Sequence, residues 1–312
     1  MLRFVARRLL YLVPVWIGIS LVAFTLASLT PGDPARLALQ RELGRQPTAE
    51  ETTAAREQMG LDDPAPIRYA RWLGDAVTGD LGTSYRTGTP VLASLADRFP
   101  TTLQIAGGGL LLAILLAIPL GILAAVHQRG PLDHLSRVLA LVGASMPSYW
   151  VAYLLILLLS VRLGWLPVAG SETWKHAIMP ALTLGIGGSA SLMRLTRAEM
   201  LETLNQDYVR TARAKGLRGS SVMVRHALRN TLIPISTVLG MRLAGMLGGA
   251  VIVETIFAWP GIGKLVVDAI FDRDYPMIQG FVIFMGTAFL LINLLVDLGY
   301  GLIDPRIRLA DR

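Results

Sequence analysis

Six stretches of this 312-residue chain are long and apolar enough to cross a lipid bilayer, and that limits what it can fold into. A helix needs roughly 17–25 apolar residues to cross about 30 Å of hydrocarbon. With no water to satisfy backbone groups, only helices or closed barrels cross. With approximate ends, the stretches are Leu9–Leu29, Thr101–Val126, Leu135–Val161, Ile178–Leu195, Leu232–Phe257 and Ile278–Ile303. The expected fold is an all-α membrane protein with six transmembrane helices. Only 16% of residues are charged, against about 25% in a soluble domain. With no cysteine, disulfides, thiolate metal sites and thiol catalysis are excluded.

Arg3, Arg7 and Arg8 precede the first stretch, as in a secretory signal. A signal's apolar core is only about 7–15 residues, and no small-x-small cleavage site follows here. An uncleaved anchor with its N-terminus inside is expected. The cytoplasmic pieces are then 1–8, 127–134, 196–231 and 304–312. The third carries Arg197, Arg210, Arg213, Lys215, Arg218, Arg225 and Arg229 against Glu199, Glu202 and Asp207, and the tail adds Arg306, Arg308 and Arg312. The short outer loops 162–177 and 258–277 are close to neutral. The positive-inside rule therefore puts both termini in the cytoplasm. It also explains the net charge of +7 without nucleic acid, leaving membrane lipid as the surrounding partner.

Residues 1–100 form an anchor span plus an outer loop. In the loop, Thr48 followed by Glu51 is a capping-box pattern, and Gly60 sits where that helix would stop. Pro66 opens a second helix with an apolar stripe of Ile67, Ala70, Leu73 and Val77. Two short helices covering the outer mouth of the bundle are expected, as an ordinary connecting subdomain or as a docking element.

Enzyme motifs are lacking. His127, His134, His176 and His226 show no HExxH spacing, and no GxSxG elbow occurs. Gly261-Ile-Gly-Lys-Leu265 lacks the first glycine and the final Ser/Thr of a phosphate-binding loop. No metal site, catalytic residue or cofactor is expected on this chain.

The loop 199–234 is the most informative segment. Tyr208, Ala212 and Lys215 fall at helical spacing with Val209 beside them, and Gly216 can take a left-handed turn. Ser220 or Ser221 is placed to cap a second helix bearing Val222, Val224, Ala227 and Leu228. Two short helices joined to spans four and five would form a lever able to receive force from a soluble motor. A plain basic loop that fixes topology or binds anionic lipid is the alternative.

This loop resembles the EAA loop of type I ABC importer membrane subunits, with Arg210-Thr-Ala-x-x-x-Gly216 in place of Glu-Ala-Ala-x-x-x-Gly. Arginine for glutamate, and His226-Ala-Leu-Arg229 for Ile-x-Leu-Pro, match the variant in the peptide/nickel branch of that family. Gly60-Leu-Asp-Asp-Pro64, Gly79-Asp-Leu-Gly-Thr-Ser84, Met146-Pro-Ser-Tyr-Trp150, Gly164-Trp-Leu-Pro167, Glu254–Gly263, Arg273-Asp-Tyr-Pro276 and Asp304-Pro-Arg-Ile-Arg308 resemble the same branch. The resemblance runs over the whole chain and includes the extra first span and outer loop of the B-type permease. It implies a type I permease core over 101–303, with a cytoplasmic tail at 304–312, in a bacterial inner membrane. It also implies a second homologous permease, two ABC ATPase subunits and an extracytoplasmic solute-binding protein. ATP and magnesium would reside on the ATPases. Asp207, Tyr208, Arg210, Thr211, Ala212, Arg213, Lys215, Gly216, Arg225, His226 and Arg229 would form the ATPase-coupling surface.

Arg242 lies about eleven residues into span five, near the midplane at 1.5 Å per residue. An arginine there costs at least about 2.5–3.5 kcal/mol on insertion scales. It either pairs internally, with Asp297 a candidate, or lines the pathway and meets an anionic cargo group; internal pairing is the commoner arrangement. Gly245 and Gly249 form a GxxxG for close packing, within the subunit or against the second permease. Pro119, Pro147 and Pro180 are expected to kink or end helices. Glu254, Trp259, Pro260 and Gly261 are expected at the outer mouth. The expected cargo is a di- or oligopeptide, with nickel or a chelated metal as the alternative. A secondary transporter would need intramembrane acidic or histidine relays and usually inverted repeats; only Asp297 and Glu254 are candidate acids.

Overall fold

In the computed structural model, residues 2–29 and 32–303 are described, apart from the side chains at 2–9, 41, 220, 226, 233, 237, 297 and 299–303. The tail 304–312 lies outside them. The chain is 80% helical, with no strand among the described residues. Five helices are long and apolar enough to cross a membrane, and a bent pair makes a sixth. The chain divides into two compact units, residues 1–100 with 264–291, and 101–263 with 292–312.

The first unit holds α1 (Leu2–Leu29), α2 (Pro34–Leu43), α3 (Ala49–Gln58), α4 (Ala65–Thr78), the start of α5 (Val91–Val126), α12 (Ile262–Phe271) from Lys264 onward and the first part of α13 (Tyr275–Ile303). The capping box opens α3: the Glu51 amide donates to Thr48 Oγ1 at 3.2 Å, and the Thr48 amide donates to Glu51 Oε2 at 2.7 Å. Hydrogen bonds from Arg45 hold the Glu51 carboxyl down to about 2. Thr48→Ala is expected to weaken α3 by about 1 kcal/mol, read as faster hydrogen exchange at the Glu51 and Thr52 amides. Gly60 turns the chain at a φ of +61°.

The next helix opens at Ala65 with Pro66 in its first turn, but it buries a different face from the expected stripe. Ile67 and Val77 are 50% and 69% exposed, whereas Ala76 is buried. Tyr69 packs edge-on and Trp72 tilted against Phe24 of α1, with ring centroids 5.4 and 6.0 Å away, and the Tyr69 hydroxyl and Ser20 Oγ share a hydrogen bond at 2.7 Å. Rings bring more buried area than the aliphatic stripe would.

Two stretches far apart in sequence also meet in this unit. Asp274, 1% exposed, receives Ser84 Oγ at 2.5 Å, the Tyr85 amide at 3.0 Å and the Arg86 amide at 3.3 Å. It also caps α13 through the Met277 amide at 3.4 Å. Burial, with the Asp274 charge adding to it, pushes the Tyr85 phenol up to about 12.

The second unit is built around α8 (Ile178–Leu204), which packs on α6 (Pro131–Ser145), α7 (Ser148–Leu155) and α11 (Arg229–Ile256). Span three is broken rather than straight: Met146-Pro147 interrupts it, and α7 with its π-helical extension Ile156–Arg162 leaves α6 at 104°. By contrast α5 runs unbroken past Pro119, beginning ten residues before the expected Thr101. Pro180 lies in the first turn of α8, where a missing amide costs nothing. Small residues set the α5–α8 distance: a Cβ on Gly109 would lie 2.8 Å from Leu184 Cβ, and one on Gly121 would lie 2.7 Å from Thr196 Cβ.

Candidate functional site

After a two-residue turn from α8, α9 (Asp207–Ala214) lays Val209 and Ala212 against Val222 and Leu204. Of the residues singled out at helical spacing, Ala212 is buried, while Tyr208 and Lys215 stay exposed. Gly216 then reverses the chain at a φ of +75°, a conformation that L side chains resist. The second helix of the loop is not separate. From α10 (Gly219–Ser221) the chain winds through a π-helix, Val222–Leu228, directly into α11. Ser221 makes no side-chain cap bond, and the N-cap of α10 is Arg218, also without one; the Ser220 side chain lies outside the described residues. Ala227 is fully buried against Ala125 and Met200, and Asn230 donates to the Tyr208 hydroxyl at 2.8 Å. The loop is therefore anchored to both spans.

What it leaves on the surface is mostly cationic. Arg210, Arg213, Lys215, Arg225 and Arg229 are exposed, alongside Asp207 and Thr211. Asp207 accepts from Arg210 at 3.4 Å and, through its carbonyl, from Thr211 Oγ1 at 2.9 Å. The His226 side chain lies outside the described residues.

Asp133 and Arg197 brace the same end of the unit, and sequence reasoning missed this pair. Arg197 grips Asp133 with both arms, Nε to Oδ1 at 2.7 Å and Nη2 to Oδ2 at 2.8 Å, and the Arg129 amide adds a third bond at 2.9 Å. The available signal was that Asp133 is the one acid in the loop 127–134.

Deeper in the unit, α8 and α11 run antiparallel in steady register: Thr203 meets Thr231, Ser191 meets Arg242, Gly188 faces Met246, and Leu184 faces Gly249. Beside this seam lies a cavity of about 490 Å³ lined by Arg242, Gly187, Gly245, Gly249, Met241 and Met246. Arg242 donates to Ser191 Oγ. The expected partner Asp297 has its side chain outside the described residues. A Cβ on Gly245 would meet nothing, so this glycine faces open space, whereas Gly240 is packed tightly by Val296.

The residues expected at the outer mouth are largely buried. Glu254 is fully covered, Trp259 is 3% exposed, Gly261 is buried and Pro260 half-buried. Thr102 Oγ1 donates to Glu254 Oε1 at 2.6 Å and accepts from the Ile262 amide at 3.0 Å, while the Trp259 indole donates to the Thr101 carbonyl at 3.0 Å. Glycines at 261 and 263 leave room for the Glu254 carboxylate, so the Gly-Ile-Gly-Lys stretch is a packing device.

A helical membrane subunit with a cationic loop anchored to two spans and an intramembrane cavity is the build of a transporter permease. The chain belongs to the binding-protein-dependent transport system inner membrane component family, which its residues 117–309 match; residues 1–106 match that family's N-terminal companion. It is 42% identical over 308 residues to the glutathione transport system permease protein GsiC of Pectobacterium atrosepticum and 41% identical to that of Escherichia coli K12. Each comparison covers 99% of both chains. Among solved structures, an inward-facing MetNI methionine ABC transporter matches 67% of this chain and 96% of its own at a TM-score of 0.57 and 15% identity. An amino acid ABC transporter with histidines matches 69% of this chain and 94% of its own at 0.51 and 17%. These two share the fold. The chain is an ABC importer permease of the peptide/nickel family, a multi-pass inner-membrane transport component and not an enzyme. The family works with ATPase and binding-protein partners.

Proposed function

We propose that this chain imports short peptides, as one half of a channel completed by a second homologous permease and driven by two ATPases that bind the loop 199–234 from the cytoplasm. Both termini lie in the cytoplasm, a solute-binding protein delivers cargo from the other side, and ATP and magnesium stay on the ATPases. The anchored loop carries this reading. Its α9 is seated through Val209 and Ala212 on the helix that continues into span five, so a push on its exposed cationic face moves that span. Asp207, Tyr208, Arg210, Thr211, Arg213, Lys215, Gly216, Arg225, His226 and Arg229 supply the contact, and Ala212 holds the helix in place. The relatives named for glutathione, a tripeptide, favour peptide cargo. The cation Arg242 in the cavity disfavours a free divalent metal ion.

The test is purification of the tagged chain from its native membrane, with mass spectrometry of what accompanies it and uptake of radiolabelled glutathione and nickel by cells. Two ATPases and a second permease should co-purify, and glutathione should enter while nickel does not. Gly216→Pro, which forbids a φ of +75°, should release the ATPases and cut uptake at least about tenfold. A wild-type chain that comes down alone sinks the coupling assignment, and uptake of nickel alone sinks the peptide reading.

A further inference from the structure

We propose that α4 is an in-plane membrane helix whose exposed apolar stripe is bedded in lipid. The leaflet is the one around the C-terminal end of α1, the outer leaflet in the orientation read above. With Tyr69 and Trp72 against α1 and Ala76 buried, the helix leaves Ile67, Ala70, Gly74 and Val77 in the open. These four recur at helical spacing and form one face.

Depth says what covers that face. The apolar run of α1 ends at Leu29, yet α4 grips it nine and five residues earlier, at Ser20 and Phe24. At 1.5 Å per residue those points lie about 14 and 8 Å short of that end. Even allowing for the reach of the two aromatic side chains, α4 lies at the boundary between headgroups and acyl chains. At that level α1 itself exposes Leu21, Val22 and Leu26.

The charges of α4 are all on its other side. Arg68, Arg71 and Asp75, the three charged residues of the helix, line a cavity of about 320 Å³ together with Trp72. Arg71 pairs with Asp63 at 2.9 Å, and the Arg68 guanidinium lies over the Phe24 ring, 5.8 Å from its centroid. In water this arrangement is inverted, with charges turned toward the protein's own cavity and aliphatic side chains turned out. At a bilayer surface it is the expected division of an interfacial helix, apolar along one side and charged along the other. Seated so, α4 ties the outer loop to the membrane without the help of a protein partner.

The chain has no cysteine, so single cysteines introduced for spin labels are unambiguous. Ile67→Cys and Val77→Cys mark the stripe, Asp75→Cys the charged side, and Glu57→Cys the exposed surface of α3. Each is prepared in the assembled transporter in lipid nanodiscs, with any partner cysteines replaced by serine. Power-saturation EPR then compares access by oxygen, which partitions into acyl chains, with access by a water-soluble nickel chelate. The two stripe labels should show an oxygen-to-nickel ratio several-fold above those of the labels at 75 and 57, and thermal unfolding of all four should match the unsubstituted chain. Ala70→Cys takes the place of a stripe variant that fails to assemble. Stripe labels as open to the nickel chelate as the label at 57 would put α4 in water and overturn the proposal. Stripe labels immobilised and reached by neither reagent would put a protein partner on the stripe, and overturn it equally.

Discussion

Asp133→Ala will lower the stability of the protein by about 3 kcal/mol, the low end for breaking a covered ion pair by removing one partner. The low end applies because the pair is shallow: Asp133 is 1% exposed but has few layers of protein around it, and the Arg197 side chain is 22% exposed. The loss has three parts. Arg197 keeps its charge without the two bonds at 2.7 and 2.8 Å, and the Arg129 amide loses its acceptor. Arg129 itself sits at a φ of +64°, which that bond helps to hold. In detergent the variant should unfold at a visibly lower temperature by tryptophan fluorescence. Adding Arg197→Met should recover part of the loss, since the unpaired charge goes with it. A double variant no better than Asp133→Ala would mean that the Arg129 turn, and not the ion pair, is what matters.

Asp274→Ala is expected to be nearly as damaging, on the order of 3 kcal/mol, because several donors lose their acceptor together. Ser84 and the amides of Tyr85, Arg86 and Met277 all point at that carboxylate. The damage should stay in the first unit: limited proteolysis should open the chain near residues 79–90. Asp274→Asn, which keeps one oxygen, should be cut more slowly than the alanine variant. Equal cleavage of the two would show that the negative charge, and not the acceptor geometry, holds the turn.

Much of this protein is readable from its sequence because lipid imposes length. Runs such as Pro234–Ile256 and Tyr275–Val296 announce themselves, and so do Thr48 with Glu51 and the left-handed Gly216, each obeying a local rule. What fails to show is whatever depends on a distant partner. Whether α4 buries Ile67 and Val77 or Tyr69 and Trp72 is undecidable from its own periodicity, since both stripes repeat at helical spacing; Phe24, 45–48 residues earlier, decides it. The Asp133–Arg197 clamp joins residues 64 apart, and Ser84 meets Asp274 across 190. Motif resemblance flagged both of those last stretches without revealing that they belong together. For Arg242 the sequence offered Asp297 as a partner by charge; that side chain lies outside the described residues, and among them the side chain that Arg242 reaches is the neutral Ser191, 51 residues earlier.

The π-helical winding of Val222–Leu228 gives the junction between loop and span a kind of gearing. An α-helix turns 100° and advances 1.5 Å with each residue, while a π segment holds surplus residue in its turns. Passing a single residue from that surplus into α register would rotate all of α11 beyond it by about 100° relative to the loop, with an axial shift of about 1.5 Å. Arg242, fourteen residues past Leu228, would swing with it. A small displacement at the cytoplasmic end is thereby convertible into a large change in which face of the span the cavity sees.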